Sequence, residues 1–197
     1  MQIKSSRRSN RERSDTTRAA ILDAAHGLFV ARGYAETSTP DIVAAAGMTR
    51  GALYHHFEDK RALFRAVAER ESSAVAARIE EATFDRLTPR EALITGARAF
   101  FDAMAEPGRI RILLLDGPAV LGTREMATID AANAQRTLEE GLAEAMAPQV
   151  HDQAALTAMA TLLSAAFDRA VLEIAEGAPT EVYVDAIGHL IDRLISA

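Results

Sequence analysis

His55 and His56 are adjacent, and of all the side chains in this 197-residue chain they come closest to inviting metal chemistry. Neighbours in a helix point about 100° apart and no third ligand lies near them in sequence, so no metal site is expected. The chain has no Cys, which removes thiol nucleophiles, disulfides, iron–sulfur clusters and cysteine-ligated zinc together. It contains no phosphate-binding glycine loop, no Gly-x-Ser-x-Gly elbow and no His-Glu-x-x-His. Its carboxylates read as solvated helix faces, without a compact acid–base pair. Neither an enzyme nor a cofactor is expected.

The chemistry that remains is charge. Residues 1–65 carry 11 Lys/Arg and 7 Asp/Glu, whereas residues 66–197 carry 11 and 21. A basic N-terminal third on an acidic remainder suits an anionic polymer that meets one end only. Lys4, Arg7, Arg8, Arg11 and Arg13 supply most of the excess, so on charge alone a solvated tail explains it equally simply. With 49% hydrophobic and 25% charged residues the composition is that of an ordinary globular protein. No uninterrupted apolar run approaches the roughly 18–20 residues of a membrane span, and the polar, basic start does not resemble a secretory signal. The expectation is a cytoplasmic protein with no membrane partner.

The elements that must position these residues follow from local signals. Forty-one residues are Ala and β-branched clusters are few, which predicts an all-α fold of about nine helices. Ile21, Leu22, Ala25, Leu28 and Phe29 make one face of a helix over 17–32, and Gly33 ends it. Thr39-Pro40-Asp41 reads as N-cap, proline at the first helical position and an acid in the first turn. Gly47 ends that short helix, Thr49 caps a third over 49–56, and Asp59 caps a fourth. Helix, short helix, glycine-containing turn, short helix is helix-turn-helix geometry.

The run from Thr39 to Phe57, with Arg50-Gly51-Ala52-Leu53-Tyr54-His55-His56-Phe57 at its centre and Lys60 three residues on, resembles the N-terminal domain of the TetR family of bacterial transcriptional regulators. The resemblance covers residues 17–67 and includes Phe29 and Gly33-Tyr34. It implies that the helix opened by Thr49 enters the DNA major groove. The residues carried over by it are Thr39, Thr49, Arg50, Gly51, Ala52, Tyr54, His55, His56 and Lys60. Arg50 is the candidate reader of a guanine; Tyr54, His56, Thr39 and Lys60 are candidates for phosphate. Gly51 and Ala52 would let the helix approach the groove floor. Leu53 and Phe57, four apart on the opposite face, are core. The expected division is a basic arm over 1–15, a helix-turn-helix domain over 16–65, and a ligand-binding and dimerisation domain over 66–197.

Beyond residue 70 the pattern continues to be helical. The fourth helix is expected to reach about Thr83. Thr88-Pro89-Arg90-Glu91 is a capping box opening a helix that Pro107-Gly108 stops. An apolar piece over 109–115 ends at Asp116-Gly117-Pro118, and one long helix is expected over 123–146, before Pro148. The last two helices are expected over 152–176 and 180–196. The first of these is apolar on more than one face, through Leu156, Met159, Leu163, Phe167, Val171 and Ile174 and also Leu162, Ala165 and Leu172. This predicts burial on two sides, and the resemblance makes the last two helices a homodimer interface.

The resemblance also implies a pocket for a small effector. Phe100, Phe101, Met104, Leu113, Leu114, Met126, Met159, Leu163 and Phe167 are candidates to line it, although a plain core explains each equally well. Arg98, Asp102, Arg111, Asp116, His151 and Asp168 are polar groups available to orient a ligand. The function expected is a ligand-responsive regulator, a repressor, that binds a palindromic operator in double-stranded DNA as a dimer and is released by a small, largely apolar effector. The alternative is a helical ligand-binding or adaptor protein that has lost operator binding.

Overall fold

The computed structural model describes residues 10–84, 87–147 and 152–196. They form ten α-helices and one π-helical turn, with no strand among them, in agreement with the all-α expectation. The helices are α1 (Asn10–Arg32), α2 (Thr39–Ala46), α3 (Arg50–His56), α4 (Lys60–Ala82), α5 (Pro89–Met104), α6 (Gly117–Leu121), α7 (Thr123–Ala131), α8 (Ala134–Ala145), α9 (Gln153–Ala175) and α10 (Thr180–Ile195); the π turn is Arg111–Asp116. Two compact units result, Met1–Val67 and Ala68–Ala197, and the division falls inside α4.

The first unit is built on an aromatic cluster. Phe29 of α1 and Phe64 of α4 meet edge to face at 5.2 Å, and Tyr34 meets Phe64 at 5.1 Å. Ile21, Ala25, Ile42, Leu53, Leu63 and Val67 complete a core closed to solvent. Gly33 ends α1 with φ 81°. The turn between α2 and α3 depends on Gly47 at φ 63°, whose N–H donates to the Ala44 carbonyl while that of Met48 donates to Val43. An L side chain is strained in that conformation, so this glycine sets the angle at which α3 leaves α2.

Two boundaries here differ from the sequence reading. The first helix begins at Asn10, not near residue 17, because it starts ahead of its apolar face; Thr16 and Thr17 hydroxyls donate to the Glu12 and Arg13 carbonyls within it. Arg11 and Arg13 of the expected arm are therefore helical, while Lys4, Arg7 and Arg8 lie outside the described residues. The cap of α2 is Ser38, one residue before the expected Thr39. Its hydroxyl oxygen accepts from the Asp41 N–H at 3.3 Å, and its own N–H donates to Asp41 Oδ2 at 3.1 Å. The reciprocal pair outcompetes a cap at Thr39, which has no partner three residues on.

In the second unit α5 packs on α8, α9 and α10, and α8 packs on α9. Phe100, Phe101 and Phe167 form the aromatic centre, with centroids 5.4–5.8 Å apart. Leu93, Met104, Ile112, Leu142, Leu163, Ile187 and Ile191 are buried around it. The capping box of α5 forms as expected. Arg109 pairs with Glu71 at 2.9 Å with both side chains nearly buried, fixing the chain after α5 onto α4.

The expected helix over 123–146 is two helices. Asn133 leaves helical geometry at φ −131°, ψ −109°, and its side-chain amide donates to the Ile129 carbonyl at 2.7 Å. An amide that bonds its own backbone competes with helix continuation. The apolar piece after Gly108 is the π turn, and it runs without a stop into α6. Gly117 permits this, since a Cβ there would stand 2.8 Å from the Ile112 carbonyl oxygen and 2.9 Å from Met126 Sδ. The expected stop at Pro148 and the candidate His151 lie outside the described residues. By length and composition α9 is apolar enough to cross a membrane. Its many Ala and Leu residues keep the mean hydropathy high although polar residues interrupt the run. Leu156, Ala160, Leu163, Phe167, Ala170 and Val171 place one side of it in the core, as a core helix of a globular fold would be.

Candidate nucleic-acid interface and ligand cavity

Thr49 opens α3 as its N-cap, its Oγ1 accepting the Ala52 N–H at 3.2 Å. Leu53 and Phe57 are buried, as their spacing predicts, and their burial turns Thr49, Arg50, Gly51, Tyr54 and His55 outward. Arg50 makes no ion pair among the described residues; its guanidinium lies 5.4 Å from the Tyr54 ring centroid, a cation–π contact that holds it extended along the helix. Tyr54 is 41% exposed, so its hydroxyl end remains in solvent. At Gly51 the backbone is ordinary, and a Cβ would meet only Thr49 Oγ1, at 3.9 Å. Nothing inside the protein requires glycine at that position. A surface approaching from outside would.

Thr39 is half-buried at the first position of α2, and its hydroxyl has no partner among the described residues. Ala52 is half-buried beneath the exposed face. His55 and His56 stand edge to face at 5.1 Å. Burial lowers the His56 imidazole below its ordinary value, with His55 and Arg18 adding to the effect and Asp15 opposing it, so at neutral pH it is mainly uncharged. Asp15 and Arg18 belong to α1, so His56 faces that helix. Arg18 itself lies 5.1 Å from the Phe57 ring centroid. It is an exposed cation beside α3 that sequence spacing gives no reason to single out.

Lys60 has a different setting from the other carried-over residues. Its Nζ donates to the Tyr34 and Thr37 carbonyls, each at 2.9 Å, and sits 4.0 Å from the Tyr34 ring centroid. Two of its three N–H groups are thus spent on the turn between α1 and α2. Thr37, buried beneath, donates to the Gly33 carbonyl at 2.7 Å.

The second unit holds two cavities that share Phe100, Ala134 and Ser164. The larger, about 420 Å3, is lined by Phe100, Met104, Leu113, Leu114 and Met126 from the predicted set. The smaller, about 240 Å3, takes Phe100 and Phe167. Phe101 and Leu163 are buried core, and Met159 lines neither cavity. Of the predicted polar groups among the described residues, Asp168 alone reaches the larger cavity. Arg98 and Asp102 lie on an outer groove beside Arg78 and Glu81, and Arg98 pairs with Glu181. Asp130, Ser164, Gln135 and Thr161 line the larger cavity without having been anticipated; polar residues scattered on three helices carry no common period.

The family description "Bacterial regulatory proteins, tetR family" matches residues 21–67, and "Tetracyclin repressor-like, C-terminal domain" matches residues 90–197. Among curated relatives, the HTH-type transcriptional regulator TtgR of Pseudomonas putida is 44% identical over 62 residues, 32% of this chain and 30% of that protein. The HTH-type transcriptional activator FasR of Mycolicibacterium smegmatis is 34% identical over 96 residues, 49% of this chain and 44% of that protein. The chain thus matches less than half the length of either relative. A crystal structure of a TetR-family transcriptional regulator from Pectobacterium atrosepticum has 29% identity and a TM-score of 0.66, covering 95% of both chains. The outward α3 with its buried Leu53 and Phe57 lies within the first match, and α6 to α10 lie within the second. The C-terminal match alone takes in more than half the sequence, and the chain belongs to the TetR family of bacterial regulatory proteins.

Proposed function

We propose that the protein is a homodimeric regulator of transcription that reads an inverted-repeat operator and leaves it when a small molecule occupies the larger cavity. The observation that carries the reading is Gly51: a glycine that no described residue requires, on an exposed helix face beside an arginine with no ion pair among the described residues. A helix laid in a major groove needs both features, close backbone approach and a donor fork for guanine. Thr49, Arg50, Gly51, Ala52, Tyr54, His55 and His56 are proposed to meet DNA along α3, with Thr39 at the start of α2 on a phosphate. Lys60 acts chiefly by holding the α1–α2 turn.

One copy reads one half-site, so symmetric pairing is part of the reading. The outward apolar residues Leu162 of α9 and Val182 and Leu190 of α10, each at least half exposed, support pairing through these helices. The same pairing covers the apolar face of α9, which needs no bilayer. The protein acts in the cytoplasm, where the chromosome is, and represses wherever its operator overlaps a promoter. A ligand that weakens operator binding about 100-fold must favour the non-binding state by about 2.7 kcal/mol.

The test is selection of sites from random duplex DNA, followed by anisotropy titration of the selected sequence at two salt concentrations. An inverted-repeat consensus bound far more tightly than scrambled DNA is expected. Weak, salt-sensitive binding without a consensus would overturn the reading.

A further inference from the structure

The larger cavity is walled mainly by carbon, through Phe100, Met104, Leu113, Leu114, Met126 and Leu172. Two carboxylates interrupt this wall, Asp130 from α7 and Asp168 from α9. Asp130 is held in place: the Ser164 hydroxyl donates to its Oδ2 at 2.8 Å, and the Gln135 N–H donates to it as well. Asp168 has no hydrogen-bond or ion-pair partner among the described residues. Arg169 is the remaining charged residue of the lining, and it is turned to solvent and paired with Glu173 on its own helix. The parts of α4, α5, α6, α8 and the π turn that line the cavity bring no titratable side chain. Among the described residues the cavity therefore holds two acids, one of them without a partner, and its single lining cation, Arg169, is engaged by Glu173 at the solvent side.

Removing a carboxylate from water without compensation is unfavourable, and two facing acids compound the cost. Burial, reinforced by Asp130, pushes the Asp168 carboxyl up to about 7, and burial raises Asp130 against its hydrogen bonds. An anion would be repelled here, and a neutral apolar molecule would leave the acids uncompensated. A cation with an apolar body would satisfy both features, with the ring face of Phe100 available to its positive head.

We propose that this cavity takes an amphipathic organic cation, such as a hydrophobic ammonium compound, with its head between Asp130 and Asp168 and its body against Phe100, Met104, Leu113 and Leu114. This rests on the reading of the cavity as the effector site and gives that effector a charge. A bound cation favours the ionised form of Asp168 and so expels its proton. Affinity for a permanent cation therefore rises with pH through about 7 and levels off above it.

Calorimetry on the whole protein tests this with three probes of one shape: an arylalkyl trimethylammonium, its uncharged tert-butyl isostere and a carboxylate of equal length. At pH 8 the cation is expected to bind about tenfold more tightly than the isostere, and the carboxylate more weakly than either. The advantage of the cation shrinks at pH 6. In the double variant D130N/D168N it disappears while the isostere still binds, which shows that the cavity persists. Equal affinity for cation and isostere, an advantage that survives D130N/D168N, or binding by none of the three overturns the proposal. A cation that binds as expected but does not release operator DNA overturns the effector reading and leaves the charge preference standing.

Discussion

Arg50 and Lys60 are both cations of the first unit, yet their neighbours give them different work. Arg50 is exposed, stacks on Tyr54 and has no ion pair among the described residues. Arg50→Ala is expected to relax base preference at one position of each half-site and to cost about 1–3 kcal/mol per contact; repeating the site selection with the variant checks this. Lys60 spends its ammonium on the carbonyls of Tyr34 and Thr37. Lys60→Met keeps the stem and leaves those carbonyls short of a donor, so urea unfolding should show a loss of about 1–3 kcal/mol. With its ammonium directed at these carbonyls, the dependence of operator affinity on salt should keep its slope; a slope reduced by about one would return Lys60 to the phosphate contacts. At this scale the sequence was informative wherever a residue type has one dominant use. It distinguishes Leu53 and Phe57 as core from Arg50 as surface. It does not reveal that Lys60 folds back over Tyr34, since that contact joins residues 26 apart.

Among the elements, caps and stops were the legible part. Thr49, Asp59, the Thr88–Glu91 box, Gly33 and Gly47 act at or within a residue of where their types place them, whereas α5 ends at Met104, ahead of the expected stop at Pro107-Gly108. The π turn was not legible because packing decides it, and the break at Asn133 was not because an Asn side chain within a helix can as readily face solvent as bond its own backbone. In a π turn the helix holds an extra residue, and such turns recur at functional sites; here Leu113 and Leu114 from this turn line the larger cavity. Gly117 makes the turn possible by admitting Met126 and the Ile112 carbonyl against its Cα. Gly117→Ala should cost about 1–3 kcal/mol in thermal unfolding, since a backbone oxygen cannot move aside as a side-chain end can. It should also weaken probe binding in the cavity, because the displaced Met126 is one of its walls.

For the whole molecule, composition and periodicity made the all-helical class and the contrast between a basic N-terminal part and an acidic remainder legible. The cavity was not, because its lining is drawn from seven separate elements and no single period connects them. The outer faces of α9 and α10 carry the prediction proper to this scale. Leu162→Glu with Leu190→Glu places charges on two exposed apolar sites, at 73% and 50% exposure, which leaves each copy folded. Sedimentation should find monomers with unchanged helical circular dichroism, and anisotropy should find operator binding weakened to that of a single half-site. A stable dimer in this variant would move the interface elsewhere.

Thr161, Ala165 and Arg169 are exposed on α9 and also belong to the lining of the larger cavity. In the pairing proposed above, a second copy seated on α9 borders the cavity mouth, and whatever a bound ligand does to pairing, pairing does equally to the ligand. The concentration of effector that triggers the response becomes a property of the population of molecules as well as of the cavity: a cell holding few copies and a cell holding many would respond to the same compound at different doses.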